Sequence, residues 1–286
     1  MENPIVGWLF DTDAVRVCPE GQPFWYASGK LGPFYINTHF LFGGEAQANR
    51  LLAAIEEETA RDPVGLPAAI GALVMAQMQS DPRYAALMAR VVDAAQGIDF
   101  DCVSGGERRD FFFSLAAARM LGKPHLAIFK NLSCVYTTAE GESRPVGQDA
   151  LRGQRMLHIV DLVTEASSYV RAWIPAVTSV GARIVASIAV IDRDQGGLEV
   201  LADAGIPLRA LVKVDASLFA AAQAQGLLTA AQCEMVRGFL ADPDAFVRTF
   251  LREHPGYLQA QIALGGKPRE RAERCIALGF GGTDGE

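Results

Sequence analysis

The sequence predicts an α/β fold, a mainly parallel sheet with helices on both faces. Three observations carry that prediction. From Asp99 onward short apolar runs alternate with helical segments, the runs are nearly continuously apolar, and a polar cluster follows each of several runs. Strands covered on both faces have this texture, and a repeated strand–helix–strand rhythm pairs them in parallel.

The elements follow in order. The first 44 residues, including PFWYASGKLGPFYINTHFLFGG, read as short strands and turns punctuated by Gly29, Gly32 and Pro33. From Glu45, EAQANRLLAAIEEETARD has apolar residues at helical spacing and a charged opposite face. Residues 63–97 read as two more helices, the second opened by a cap residue and a first-turn proline, Asp81-Pro82. FDCVSGG is then a strand and turn, RDFFFSLAAARMLG a helix, HLAIFKN a strand and RMLHIVDLV another. ASSYVRAWIPAVTSVG is a helix, RIVASIAVIDRD a strand, GGLEVLADAG a helix and LRALVKV a strand. The tail from Asp215 reads as helices. The expected organisation is an N-terminal segment 1–44, a helical segment 45–98, an α/β core 99–214 and a helical extension 215–286.

Composition narrows the function. Half the residues are apolar, 21% are charged and the net charge is −7. That balance fits a globular protein and argues against nucleic-acid binding driven by bulk charge, while leaving room for a small basic pocket. Every apolar run is broken before the roughly 18–20 residues of a membrane span. The N-terminal MENPIVGWLFDTDAV has acids and no basic residue, so no secretory signal is expected. The five cysteines are scattered and neither they nor the four histidines have zinc spacing. Reduced thiols, a cytoplasmic location and no metal site are the expectation.

The polar clusters carry a resemblance. SGKLGPFYIN (28–37) resembles the SGxxSPxYxN hood of orotate phosphoribosyltransferases. FDCVSGGERRD (100–110) resembles that family's strand leading to a basic turn, and IFKN (128–131) its Arg-Lys strand end. The stretch after Asn131 to Gly153 stands where the family has a flexible catalytic loop. MLHIVDLVTEASS (156–168) stands in place of the phosphoribosyl-pyrophosphate motif, and VIDRDQGG (190–197) is similar to the strand ending in Asp-Arg. The pieces are collinear over residues 24–214. The resemblance implies a phosphoribosyltransferase-type core with a small N-terminal hood, in which residues 63–97 and 215–286 are additions. It also implies a homodimer.

In this family an acid pair grips the ribose hydroxyls, and a T-x-G-x-T loop at a helix N-terminus wraps the 5-phosphate. Such a loop needs small residues, because the backbone itself must approach the phosphate. Asp161 keeps the first acid and Leu162 replaces the second. The loop here is Thr164, Glu165, Ala166, Ser167 and Ser168, with Glu165 on the first Thr and Ser167 on the Gly. A carboxylate about 4 Å from a phosphate charge costs roughly 4 kcal/mol at an effective dielectric near 20. Alternatively, Glu165 opens the helix at its favourable end.

The remaining roles also follow from the resemblance. Arg109 stands on the turn lysine that contacts pyrophosphate, with Arg108 competing for the role. Lys130 matches the strand-end lysine, while Phe129 replaces the arginine before it. The loop's Lys and His are missing from LSCVY (132–136), and Arg144 is a distant substitute. Lys30, Phe34, Tyr35 and Arg193 stand at base-binding positions. Arg193 would clamp an acceptor carboxylate with its guanidinium fork, or pair with Asp192 or Asp194 at the surface. The aromatic pair would flank a planar base or fill the hood core.

Two functions are compatible with these residues. One is transfer of ribose-5-phosphate from phosphoribosyl pyrophosphate, with Mg²⁺, onto a planar base such as orotate. Its catalytic residues would be Asp161, Lys130 and Arg109. The other is a non-catalytic relative that binds a nucleotide or small anion as a sensor or partner.

Overall fold

The computed structural model describes residues 3–280. The chain opens with helix α1 (Pro4–Asp11), then the short strands β1 (Val15–Val17), β2 (Phe24–Trp25), β3 (Leu31–Gly32) and β4 (Phe34–Ile36). Helices α2 (Glu45–Arg61), α3 (Leu66–Ser80) and α4 (Pro82–Ala94) precede β5 (Cys102–Gly106) and α5 (Phe111–Leu121). Next come β6 (His125–Ile128), β7 (Cys134–Thr137), β8 (Ser143–Val146) and β9 (Arg155–Val163). A π-helical turn, Tyr169–Trp173, runs into α6 (Ile174–Ser179), followed by β10 (Arg183–Asp192), α7 (Gly197–Asp203) and β11 (Leu208–Lys213). The rest is helical: α8 (Ala216–Ala224), α9 (Ala230–Ala241), α10 (Pro243–Glu253), α11 (Tyr257–Leu264) and α12 (Gly266–Cys275).

Two compact units emerge. One combines residues 15–36 with 215–280; the other holds 3–14 and 37–214. The N-terminal strands and the C-terminal helices therefore fold together, while the helical segment from Glu45 joins the sheet.

In the larger unit, the described residues form a seven-stranded sheet in the order β11-β10-β9-β5-β6-β7-β8. The first five of these are mutually parallel, and β7 and β8 add an antiparallel edge. From β5 the chain steps outward through β6, whereas from β9 it steps the other way through β10 and β11. The order thus reverses between β5 and β9, where open α/β sheets bind ligands at their carboxyl ends. Helix α5 packs on β5, β6 and β9, α6 on β10 and α7 on β11. Met156, Val160 and Ile184 pack with Trp173, Val177 and Leu201 in one core layer. Asp81 caps α4 by accepting from the Arg83 and Tyr84 N–H groups at 2.9 and 3.3 Å, as the Asp-Pro pair predicts.

Three elements differ from the sequence expectation. Pro4–Asp11 is a helix, capped by the Asn3 side chain with proline in its first turn, a start signal obscured by the surrounding Gly and aromatic residues. The segment after Asn131 is a β7–β8 hairpin rather than a loop, because Cys134-Val-Tyr-Thr137 is a largely buried run of strand-favouring residues that pairs with β6. The helix after Ser168 begins as a π turn; Pro175, lacking an N–H, cannot complete the regular ladder at that point.

The smaller unit is built from β1 paired with β4 and β2 paired with β3, both antiparallel, together with α8–α12. Trp25 and Leu31 are buried with Val247, Phe250, Ala272 and Cys275. Among the described residues no helix is long and apolar enough to cross a membrane.

Candidate functional site

At the β5/β9 reversal lies a cavity of about 340 Å³. The turn after β5 contributes Glu107 to Asp110, β6 leads to Lys130, and the end of β9 contributes Val160 to Thr164. Ala166, Ser167, Ser168, Tyr169 and Trp173 complete the wall. Each side chain is there because an apolar strand ends beneath it.

The loop after β9 is shaped by Ala166, which has φ +52°, the left-handed region. Thr164, Ser167 and Ser168 line the cavity, while Glu165 is exposed and is not among the lining residues. The loop is braced by the start of α7, which Gly197 lets approach closely: a Cβ there would collide with the Thr164 carbonyl oxygen. Gly106 likewise leaves room for the Trp173 ring.

The charged residues are partly spoken for. Arg108 forms an ion pair with Glu56 of α2. Arg109 is exposed at the rim, and its positive charge acts on Asp161. Lys130 is exposed and tied to Glu107: its backbone N–H donates to Oε2 at 3.0 Å and its ammonium lies 3.5 Å from Oε1. Phe129 is buried against Phe111 and has no charge to offer.

Beneath them are two acids. Asp110 is buried, and its Oδ1 and Oδ2 accept from the Asp161 and Gly106 N–H groups at 3.1 and 3.0 Å. Burial drives the Asp110 carboxyl well above the usual carboxylate range, and the Asp161 charge pushes it the same way. Asp161 is raised to about 6 by burial, opposed by Arg109. The sequence reading missed Asp110 and Glu107. Asp110 looks like an ordinary helix cap, and nothing in the sequence says that it faces the sheet.

Arg193 stands at the end of β10, next to β9, and its N–H donates to the Val163 carbonyl at 2.9 Å. Asp161 and Arg193 therefore end neighbouring strands, while Arg193 is not among the residues that line the cavity. Asp194 pairs with Lys213 at 2.8 Å, and Asp192 accepts from the Asp194 N–H at 2.9 Å. Arg144 lies on β8 with its guanidinium 5.5 Å from the Tyr136 ring centre.

Lys30, Phe34 and Tyr35 belong to the smaller unit. Lys30 pairs with Asp244 at 2.6 Å. Phe34 is buried against Phe219 and Phe239, and the Tyr35 hydroxyl donates to the Trp25 carbonyl. Phe34 is a core residue here, and Tyr35 is engaged within its own unit.

No protein-family model matches the chain. It is 30% identical over 146 residues to the orotate phosphoribosyltransferase of Pyrococcus furiosus, covering 50% of this chain and 76% of that protein. It is 29% identical over 138 residues to the orotate phosphoribosyltransferase of Thermococcus gammatolerans, covering 47% and 70%. Among solved structures, the UMP synthase of Leishmania donovani aligns with a TM-score of 0.53 at 22% identity, over 83% of this chain and 41% of that one. The orotate phosphoribosyltransferase of Francisella tularensis aligns with a TM-score of 0.51 at 14% identity, over 82% and 96%.

Proposed function

Because the chain belongs to the orotate phosphoribosyltransferase family, we propose that the cavity holds a phosphoribosyl donor, and that the apparatus for pyrophosphate departure is reduced. One observation carries this reading. Thr164, Ser167 and Ser168 line one cavity with Asp161 and Arg109, while the carboxylate that would repel a phosphate stands outside it. The hydroxyls and N–H groups at the helix start would take the 5-phosphate, Asp161 the ribose and Arg109 the pyrophosphate. Among the described residues no group of three or more His, Cys, Asp or Glu could hold a metal ion. Mg²⁺ would therefore arrive bound to the substrate's phosphate oxygens, as it commonly does.

Catalysis by such a site is positioning and charge neutralisation around an oxocarbenium-like transition state. On that side the chain is weak: Lys130 is paired with Glu107, and the segment aligned with the catalytic loop is a hairpin whose aligned stretch has no Lys or His. We therefore expect binding of phosphoribosyl pyrophosphate and slow transfer to a planar base such as orotate. A non-catalytic sensor or partner protein using the same cavity is the second reading, favoured by the same Lys130–Glu107 pair. A homodimer is expected from the family, and the five buried, unbridged cysteines fit a reducing, cytoplasmic setting.

Calorimetric titration with phosphoribosyl pyrophosphate and Mg²⁺, run beside a pyrophosphate-release assay with orotate, tests the proposal. Binding with slow release supports it, and binding with no release supports the sensor. No binding overturns both.

A further inference from the structure

Asp110 sits where a residue ordinarily caps the following helix, yet its side chain makes no capping bond to α5. The carboxyl turns back instead, taking the Gly106 N–H with one oxygen and the Asp161 N–H with the other. The Asp161 carboxyl is near enough for its charge to act on Asp110. Asp110 is only 7% exposed, and both acids line the cavity.

This arrangement is a poor one for stability alone. A buried carboxyl group beside a second one is disfavoured by desolvation and by like charge. The two backbone donors offset part of that penalty, since a carboxyl group has an oxygen for each of them. The pair also lines the cavity, and the neighbouring sequence gives that placement a reason in ligand binding. Position 162, which follows Asp161 on β9, is leucine and lines the same cavity without an acceptor. A ribose ring presents two adjacent hydroxyls, and a second carboxyl group adds acceptor oxygens for them beside the first.

We propose that Asp110 supplies the second carboxyl group that position 162 lacks, so that the Asp110–Asp161 pair grips the adjacent hydroxyls of a ribose ring. The two acids reach the same wall from neighbouring strands, one from the turn after β5 and one from the end of β9. Burial beside a second carboxyl group favours a proton on Asp110, which leaves the pair one net negative charge. Arg109 offsets the remaining charge. This inference rests on the reading of the cavity as a phosphoribosyl site.

The test compares two probes, ribose 5-phosphate and inorganic phosphate, titrated calorimetrically into the wild type, Asp110→Ala, Asp110→Asn and the double variant Asp110→Ala with Leu162→Asp. Wild type is expected to hold ribose 5-phosphate more tightly than phosphate. Asp110→Ala should lose about tenfold for ribose 5-phosphate and less than about twofold for phosphate. Adding Leu162→Asp should recover most of that loss. If Asp110→Ala does not fold, Asp110→Asn carries the comparison, with a loss of about threefold confined to ribose 5-phosphate. Folded Asp110 variants that bind ribose 5-phosphate as wild type does would overturn this inference and leave the phosphoribosyl reading standing. Equal losses for both probes would also overturn it, by assigning Asp110 a merely structural part. A wild type that binds neither probe removes the phosphoribosyl reading and this inference with it.

Discussion

Glu107 holds Lys130 twice, through the lysine's backbone N–H at 3.0 Å and its ammonium at 3.5 Å. The lysine side chain is 66% exposed and the glutamate side chain 8%, so the acid is the fixed partner and the lysine the movable one. Glu107→Gln keeps an acceptor for the backbone and releases the ammonium. Affinity for inorganic pyrophosphate should rise about three- to tenfold at low ionic strength and return toward the wild-type value as salt screens the charge. Calorimetry at two salt concentrations checks this, and an unchanged affinity would show that Lys130 takes no part in binding.

Glu165 is exposed beside the cavity rather than in it. Its charge is accordingly screened by solvent, and Glu165→Thr should change phosphate affinity by less than about threefold. A gain of a hundredfold would mean that the carboxylate turns inward in solution.

Stability should depend on pH through two opposing sets of groups. His125 and His158 are bonded to the Ser114 and Ser104 hydroxyls, each leaving its other ring nitrogen buried without a partner. Burial lowers both from 6.5 to about 3. They stay neutral in the fold but protonate in the unfolded chain, so their contribution is present above about pH 6.5 and is lost as pH falls toward 3. Asp161 runs the other way. Raised to about 6, it contributes stability that is present below the unfolded carboxylate range and lost as pH rises through 6. Asp161→Asn should therefore raise the unfolding free energy at pH 8 by on the order of 1–3 kcal/mol, seen as a higher urea midpoint, and do little at pH 4. Urea titrations of both proteins at the two pH values decide the matter.

Gly197 is required by contact. The Gly197→Ala methyl would press on the Thr164 carbonyl and the Val163 side chain. Overpacking of this kind costs about 1–3 kcal/mol. A lower melting temperature and about tenfold weaker phosphate binding are expected. Scanning calorimetry and phosphate titration would measure them, and an unperturbed variant would show that the loop yields freely.

The parallel strands were legible because each is a nearly unbroken apolar run, and the polar residues ending β5, β6, β9 and β10 came together at one sheet end for the same reason. Other features were hidden by ambiguity in the chain itself. Asp110 precedes a helix, where aspartate is the ordinary cap, and only the fold turns its carboxyl to β9. The direction of Glu165 depends on the left-handed turn at Ala166, a conformation that alanine does not advertise. The β7–β8 hairpin was masked by its polar tip and by the expectation of a loop.

The two outer strands of the large sheet show how its growth is halted. On β8, Pro145 lacks an N–H and its neighbour Arg144 carries a charge. On β11, Arg209 donates to the Ala94 and Gln96 carbonyls at 2.7 and 2.8 Å, and Lys213 carries a charge at the strand's end. Proline and fixed cations are poor templates for another strand, so both margins resist edge-to-edge aggregation.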